Sequence, residues 1–287
     1  MIYEIKNEFV TVKVDSHGAE IISALGADGF EYIYTGEEWK GHAPVLFPLC
    51  GRIKNELCTY RGKEYSMKCH GLAMYNEFSL KEKGEDFITL LFTSSEATKK
   101  QYPFDFAFTV RYSVQGARLS AVFTVENLSS EPLPYMVGWH PGFTYEPGRA
   151  HEDFYLDFGN AELRLHPVID RAFIARDTVP FATENGKYRI NDDELDEYDT
   201  LVLDGTNGSV KFASDFASHG VVFSWSDNIP SFCVWRMPFK KSPYLCLEPW
   251  SNLPGDGTGE EDLATRDMIR IPEGAVESYT FLVDLLS

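Results

Sequence analysis

Apolar and polar residues alternate along most of this chain. In FDFAFTVRYSV, residues 104–114, Phe106, Phe108, Val110, Tyr112 and Val114 share one face, while Ala107, Thr109, Arg111 and Ser113 share the other. A period of two predicts a half-buried strand. QGAR then turns the chain and LSAVFTVEN returns it, which predicts a hairpin. NEFSLKEKGEDFITLLFTSS repeats the plan, with Lys83-Gly84-Glu85 as its turn. Further strands are predicted in EFVTVKVD, AEIISAL, FEYIY, DFYLDF, AELRLHP, TLVLDG, VKFASDF, GVVFSWS, SFCVWRM, YLCLEPW and SYTFLVDL.

Helical signals are few. SSEATKKQYP has Ser caps and a closing Pro, and GEEDLATRD is a second short candidate. The acidic run NDDELDEYD, residues 191–199, lacks the residue order of a calcium loop and reads as a solvated loop. GDGTGE, residues 255–260, is Gly-rich, but no Gly-Lys-Ser/Thr follows it, so it reads as a surface loop. Many short strands without alternating helices predict an all-β fold, sandwich or barrel. No linker-like segment or internal repeat divides residues 1–287, so a single domain is expected.

Composition narrows the partners. With 26 basic and 44 acidic residues, the formal charge is −18. A field of that sign repels phosphate backbones and anionic lipid, so neither nucleic acid nor membrane is an expected partner. Five cysteines, an odd number with no C-x-x-C pair, fit neither a disulfide framework nor a zinc site; reduced thiols in the cytoplasm are expected. The opening MIYEIKNEFV has no basic stretch leading into an apolar one, so no signal peptide is expected. No run approaches the length of a membrane span. The aromatic content of 14 % suits strands and also sugar-binding clefts.

Candidate chemistry sits in four stretches. VGWHPGF, residues 137–143, places His140 between a tryptophan and a Pro-Gly turn, and YLCLEPWSN, residues 244–252, ends a strand pattern on Glu248, again followed by Pro and Trp. His titrates near neutrality unaided. Glu248 shares a strand face with Tyr244, Cys246 and Trp250, so it is expected in a partly apolar setting, where a carboxylate needs a partner or its pKa rises. The pair is expected to face each other across a ligand as acid and base, with the carboxylate holding the proton on His140. In APVLFPLCGRI, residues 43–53, Gly51 permits close backbone approach and Arg52 offers a planar donor fork. KCHGLAMYNEF, residues 68–78, sets His70-Gly71 between two strand patterns. Each feature alone has an ordinary structural reading. His17, His42, His151, His166 and His219 sit in turn-like or polar contexts and are expected to be surface or structural.

Taken together, the order Gly-Arg, His-Gly, Gly-x-His-Pro, Glu-Pro-Trp resembles the aldose 1-epimerase (galactose mutarotase-like) family, and within it the LacX-type branch. The resemblance runs from GAEIISA, residues 18–24, to about residue 282. It implies a single β-supersandwich that binds a free sugar and needs neither metal nor other cofactor. It implies Glu248 as the base at the anomeric hydroxyl and His140 as the acid at the ring oxygen. Arg52 and His70 match positions that grip sugar oxygens, and Asp199 in EYDTLVLDG is the candidate for a further substrate-binding aspartate. Trp250 and Trp139 offer faces for a sugar ring, with core packing an equal alternative for either. Where many relatives read His-Gly-Phe-Ala-Arg, this chain reads HGLAM, with Met74 in place of the Arg.

The resulting expectation is an isomerase interconverting the α and β anomers of a hexose, as a monomer or homodimer. The alternatives are a hexose-phosphate epimerase, which needs a basic pocket mouth, and a non-catalytic carbohydrate-binding module on the same fold. A two-carboxylate glycoside hydrolase is disfavoured, since no strong second carboxylate motif is present.

Overall fold

Phe106–Gln115 and Arg118–Asn127 pair antiparallel about the Gly116 turn, and the five apolar positions of the first strand are all buried while the residues between them are not. The computed structural model describes every residue except 171, 172 and 260. Val276–Leu286 joins this hairpin on one side, and Phe87–Thr93 followed by Ser79–Lys83 extends it on the other. Gly220–Trp225, Ser209–Ser214, Phe154–Asp157 and Lys187–Arg189 complete a nine-stranded antiparallel sheet among the described residues.

The second large sheet is built from shorter pieces. Its hydrogen-bonded order is Val179–Pro180, Arg164–His166, Thr200–Asp204, Ser231–Trp235, Tyr244–Trp250, Gly138–Trp139 and Val45–Leu46, with Gly142–Thr144 also on the 244–250 strand. All seven residues of Tyr244–Trp250 are buried, because one face meets the other sheet and the opposite face is covered as well. The two sheets pack as a sandwich. Trp139 lies against Tyr112, Phe123, Phe223 and Phe281 of the nine-stranded sheet, and Trp225 stacks on Phe232 at 5.0 Å. Each such side chain, fully buried, contributes roughly 1.5–3 kcal/mol. A smaller three-stranded sheet of Ile2–Lys6, Val10–Asp15 and Glu20–Gly26 completes the N-terminal part.

Several local expectations are corrected. FEYIY forms no strand; it makes only isolated bridges, Leu25 to Glu31 and Ile33 to Phe143. SSEATKKQYP forms only a single 3-10 turn, Thr98–Lys100. The described part of GEEDLATRD is not helical, and its residue 260, shared with GDGTGE, lies outside the described residues. The acidic run expected to be a loop contains the α-helix Asp192–Tyr198. Asn191 caps it by accepting from the Asp193 and Glu194 N–H groups, and three acidic residues sit in its positive first turn. No helix among the described residues is long and apolar enough to cross a membrane.

Candidate active site

Gly138 pairs with Trp250, and Gly142 pairs with Cys246. Continuing that register across the interruption at Pro141 sets His140 opposite Glu248. Directly opposed residues project to the same face, with Cβ atoms about 4.5–5.5 Å apart. His140 Nε2 accordingly lies 3.2 Å from Glu248 Oε1. Both residues precede a proline, Pro141 and Pro249, which restricts each to extended backbone. The His140 N–H donates to the Pro44 carbonyl at 3.0 Å, tying the pair to the neighbouring 43–53 segment. A Cβ on Gly138 would lie 2.7 Å from the Trp250 ring and 2.9 Å from Cys50 Sγ, so this approach requires glycine.

The pair forms part of the lining of a cavity of about 450 Å³. Arg52, His70, Asp199 and Trp250 line the same cavity, so the fold gathers all six sequence candidates. The His70-Gly71 turn closes by hydrogen bonds: His70 N–H donates to the Gly51 carbonyl, and Gly51 N–H donates to His70 Nδ1 at 3.2 Å. Nδ1 therefore accepts, and the ring proton sits on Nε2, ready to donate. Gly71 has φ +80°, and a Cβ there would lie 2.7 Å from the Phe47 carbonyl oxygen. His70 and Asp199 also hold positive φ, 64° and 60°. Asp199, at ψ −54°, ends the 192–198 helix in a strained conformation that points to a positional role. Arg52 is exposed at the cavity edge and is the cation among its described lining residues.

Electrostatics at the pair are set by burial. His140 is 7 % and Glu248 1 % exposed. Burial pushes Glu248 well above the ordinary carboxylate range. The Trp250 indole N–H opposes that shift without forming a hydrogen bond of normal geometry. Burial, reinforced by the neighbouring His70, pushes His140 well below its ordinary value. Burial of both groups therefore favours the neutral form of the pair, with the proton on the carboxyl. Two sequence expectations are corrected here. The carboxylate does not hold the proton on His140, because a desolvated ion pair must recover a cost of several kcal/mol per ion, and this one lacks the extra hydrogen bonds to do so. Nor do the two groups face each other across a ligand-sized gap; they touch, because cross-strand register makes them direct neighbours. His70 falls to about 4, through burial and then Arg52, although its ring keeps an accessible edge in the cavity.

Aromatic rings enclose the pair. Trp39 lies 5.1 Å and Trp235 5.7 Å from the His140 ring, and the His70 ring stands perpendicular to it at 5.5 Å. Trp39 and Trp235 both line the cavity, and sequence reasoning missed both. The available signal for Trp39 was a lone tryptophan in the polar run TGEEWKG. Trp139, by contrast, is wholly buried and donates its indole N–H to the Ala43 carbonyl, so it belongs to the core. Met74 lines the cavity. His42, His151, His166 and His219 bond to protein groups and do not line this cavity, and His17 is exposed. The linear sequence offers no metal-ligand spacing, yet the fold brings His140, Cys246 and Glu248 together, with one ligand atom of each within 4.8 Å of the others.

The arrangement supplies one proton donor and one acceptor in contact, inside an aromatic-walled cavity edged by Arg52, His70 and Asp199. Residues 1–255 match the family model described as aldose 1-epimerase. The plasmid-borne protein LacX of Lactococcus lactis subsp. lactis is 32 % identical over 271 residues, covering 88 % of each chain. A galactose mutarotase related enzyme from Lactobacillus acidophilus has a TM-score of 0.92 at 30 % identity, covering 100 % of this chain and 98 % of that one. A galactose mutarotase-like protein from Lactobacillus casei also has a TM-score of 0.92, at 26 % identity, covering 99 % of this chain and 100 % of that one.

Proposed function

This chain belongs to the aldose 1-epimerase family, and from that premise we propose that it interconverts the α and β anomers of a free hexose by acid–base opening and reclosing of the ring. The observation that carries this reading is the 3.2 Å contact between His140 and Glu248 on the cavity wall. A cyclic aldose carries its anomeric hydroxyl and its ring oxygen on the same carbon. A donor and an acceptor in mutual contact span two oxygens so close together.

Opening removes the hydroxyl proton and delivers one to the ring oxygen. Glu248 is the base and His140 the acid. The aldehyde then rotates about its C1–C2 bond, and closure reverses both transfers, so the enzyme ends the cycle unchanged. The pair starts with its proton on Glu248, so the reactive form needs that proton moved across to His140. Sugar hydroxyls, with Arg52 close by, provide the polar partners that the charged pair lacks and drive this transfer on binding. Each positioned group contributes roughly 10²–10⁴-fold.

Arg52, His70 Nε2–H and Asp199 hold sugar oxygens, and Trp250 offers its ring to an apolar sugar face. Arg52 is the one Lys or Arg among the described lining residues, short of the basic cluster that a phosphate group needs, and this supports a free sugar over a phosphorylated one. We assign the activity to one domain spanning residues 1–287, acting in the cytoplasm as a monomer or homodimer. The test is NMR anomer exchange across a panel of free and phosphorylated aldoses. Catalysed exchange of a free hexose is expected. Sugar binding without exchange of any aldose would favour the carbohydrate-binding module, and exchange restricted to sugar phosphates would favour the phosphate epimerase.

A further inference from the structure

One buried group beside the acid–base pair takes no part in the sugar chemistry. Cys246 lies two residues before Glu248 on the Tyr244–Trp250 strand, so their side chains share a face. Cys246 is fully buried, and it packs beside Tyr34, Tyr244, Trp39 and Trp235.

The geometry is that of a partly assembled metal site. Donors bound to tetrahedral zinc at ~2.0–2.3 Å lie roughly 3.3–3.7 Å from one another. His140 Nε2 and Glu248 Oε1, at 3.2 Å, already form one edge of such a tetrahedron. Cys246 offers the third donor, with one ligand atom from each residue inside 4.8 Å of the others. A second observation points the same way. Glu248 Oε1, on a residue 1 % exposed, has no hydrogen-bond partner and is aimed at this cluster.

We propose that His140, Cys246 and Glu248 form a zinc-binding site in the wall of the cavity, and that zinc held there blocks the acid–base pair. One thiolate, one imidazole and one carboxylate suit a borderline-soft, tetrahedral ion and disfavour magnesium or calcium, which require all-oxygen shells. Three protein ligands leave a fourth position open toward the cavity. The charges balance. As Zn²⁺ enters, the Cys246 thiol proton and the single proton of the His140–Glu248 pair leave, so the buried net charge does not change. Catalysis needs no metal here, and a chelator relieves inhibition without slowing the reaction. Metal capture is independent of the sugar reading; only the competition with sugar rests on it.

Cobalt(II) provides the test, since a thiolate ligand gives a near-ultraviolet sulfur-to-cobalt charge-transfer band whether or not the enzyme turns over. Titration of the wild-type chain should saturate this band at one equivalent, and Zn²⁺ should abolish it. Cys246→Ala should lose the band, weaken Zn²⁺ inhibition by at least ~10–100-fold, the loss that even an outer-shell partner causes, and keep the metal-free exchange rate. Cys246→Ser serves if the alanine variant does not fold. Cys69→Ala, which changes the thiol lining the same cavity, should keep the band. A wild-type chain with no charge-transfer band overturns the proposal. So does a band that survives loss of Cys246 or disappears with Cys69.

Discussion

Two of the histidine–carboxylate sites in this molecule have nearly the same chemistry and opposite pKa shifts. His140 meets Glu248 at 3.2 Å in the cavity wall. His219 meets Glu146 at 2.7 Å and Asp28 at 2.8 Å near the surface, with its ring stacked on Phe30 at 4.0 Å. Burial pushes His140 down and Glu248 up, so that pair favours its neutral form. At His219, burial also pulls downward but is outweighed by the hydrogen bonds to Asp28 and Glu146, so its pKa is raised. The His219 hydrogen bond holds Asp28 low, and hydrogen bonds to His219 and Ser218 overcome burial to hold Glu146 low as well. The difference lies in hydration and hydrogen-bond supply. Glu146 also accepts from the Ser218 and His219 backbone N–H groups, whereas Glu248 Oε1 has no hydrogen-bond partner. One site gains stability from a charged network. The other keeps an unstable charge distribution available for chemistry.

The sharpest way to separate the two sites is activity. Glu248→Gln should lower catalysed anomer exchange by roughly 10²–10⁴-fold, and His140→Asn should do the same. The double variant should be little worse than either single one, because the two groups act as a unit. Polarimetry on all three gives the comparison; additive losses would dissolve the pair. His219→Gln should leave the rate unchanged.

Protonation follows next. Because the His140–Glu248 pair holds one proton, it titrates in two macroscopic steps. It takes up a second proton, on His140, below the ordinary ~6.5 of histidine, and gives up its last, from Glu248, above the ordinary ~4.3 of glutamate. Burial thus assigns the acid limb of kcat/KM to the histidine and the alkaline limb to the carboxyl, with a plateau between them. ¹⁵N spectra of the histidines across pH 4–10 read both sites at once. His140 should stay mostly neutral at pH 6.5, while His219 should be more than half protonated. An imidazolium signal from His140 at pH 7 in the sugar-free protein would reverse the assignment.

Stability should move in opposite directions. Glu248 has a raised pKa in the fold, so above ~4.3 the unfolded chain releases a proton that the fold retains, and stability falls as pH rises. Glu248→Gln removes this cost. Its Tm at pH 7 should rise by roughly 2–4 °C, equivalent to about 1 kcal/mol, and the gain should vanish near pH 4. A Tm lowered at pH 7 would mean that the carboxyl stabilises the fold as an ion.

The smallest effect belongs to His219. Its raised pKa contributes stability that is full below ~6.5 and lost as pH rises through the folded value. The lowered Asp28 and Glu146 contribute stability that is full above ~4.3 and lost as pH falls. The network therefore matters most between about pH 4.5 and 6.5. His219→Gln should cost at most ~1 kcal/mol there, given the partial exposure of Asp28. Urea unfolding at pH 5.5 and pH 8 checks it, with the smaller loss expected at pH 8.

Local pattern was enough for much of this protein. Alternation in 104–127 predicted a hairpin, and the five apolar positions on the inward face of its first strand, Phe106, Phe108, Val110, Tyr112 and Val114, are all buried, because a strand with one wet face must alternate. The prolines after His140 and Glu248 marked both residues as held in extended backbone, because the restriction acts between chain neighbours. The same logic explains the errors. FEYIY carries a strand's composition, but tertiary pairing left it only isolated bridges. The 192–198 helix buries only Leu195, so it lacks an apolar period, and its Asn191 cap was the one readable sign.

What no local pattern could supply was relative position and solvent. His140 and Glu248 are neighbours only because register across two strands, a hundred residues apart in sequence, sets them opposite each other. The same register brings Cys246 beside them, and the fold closes Trp39 and Trp235 over the His140 ring. The sequence by itself determined which ionisable groups the chain carries and which backbone conformations hold them. Tertiary structure alone decided where the proton rests, because hydration of a charge depends on everything packed around it, and at Glu248 that packing excludes water.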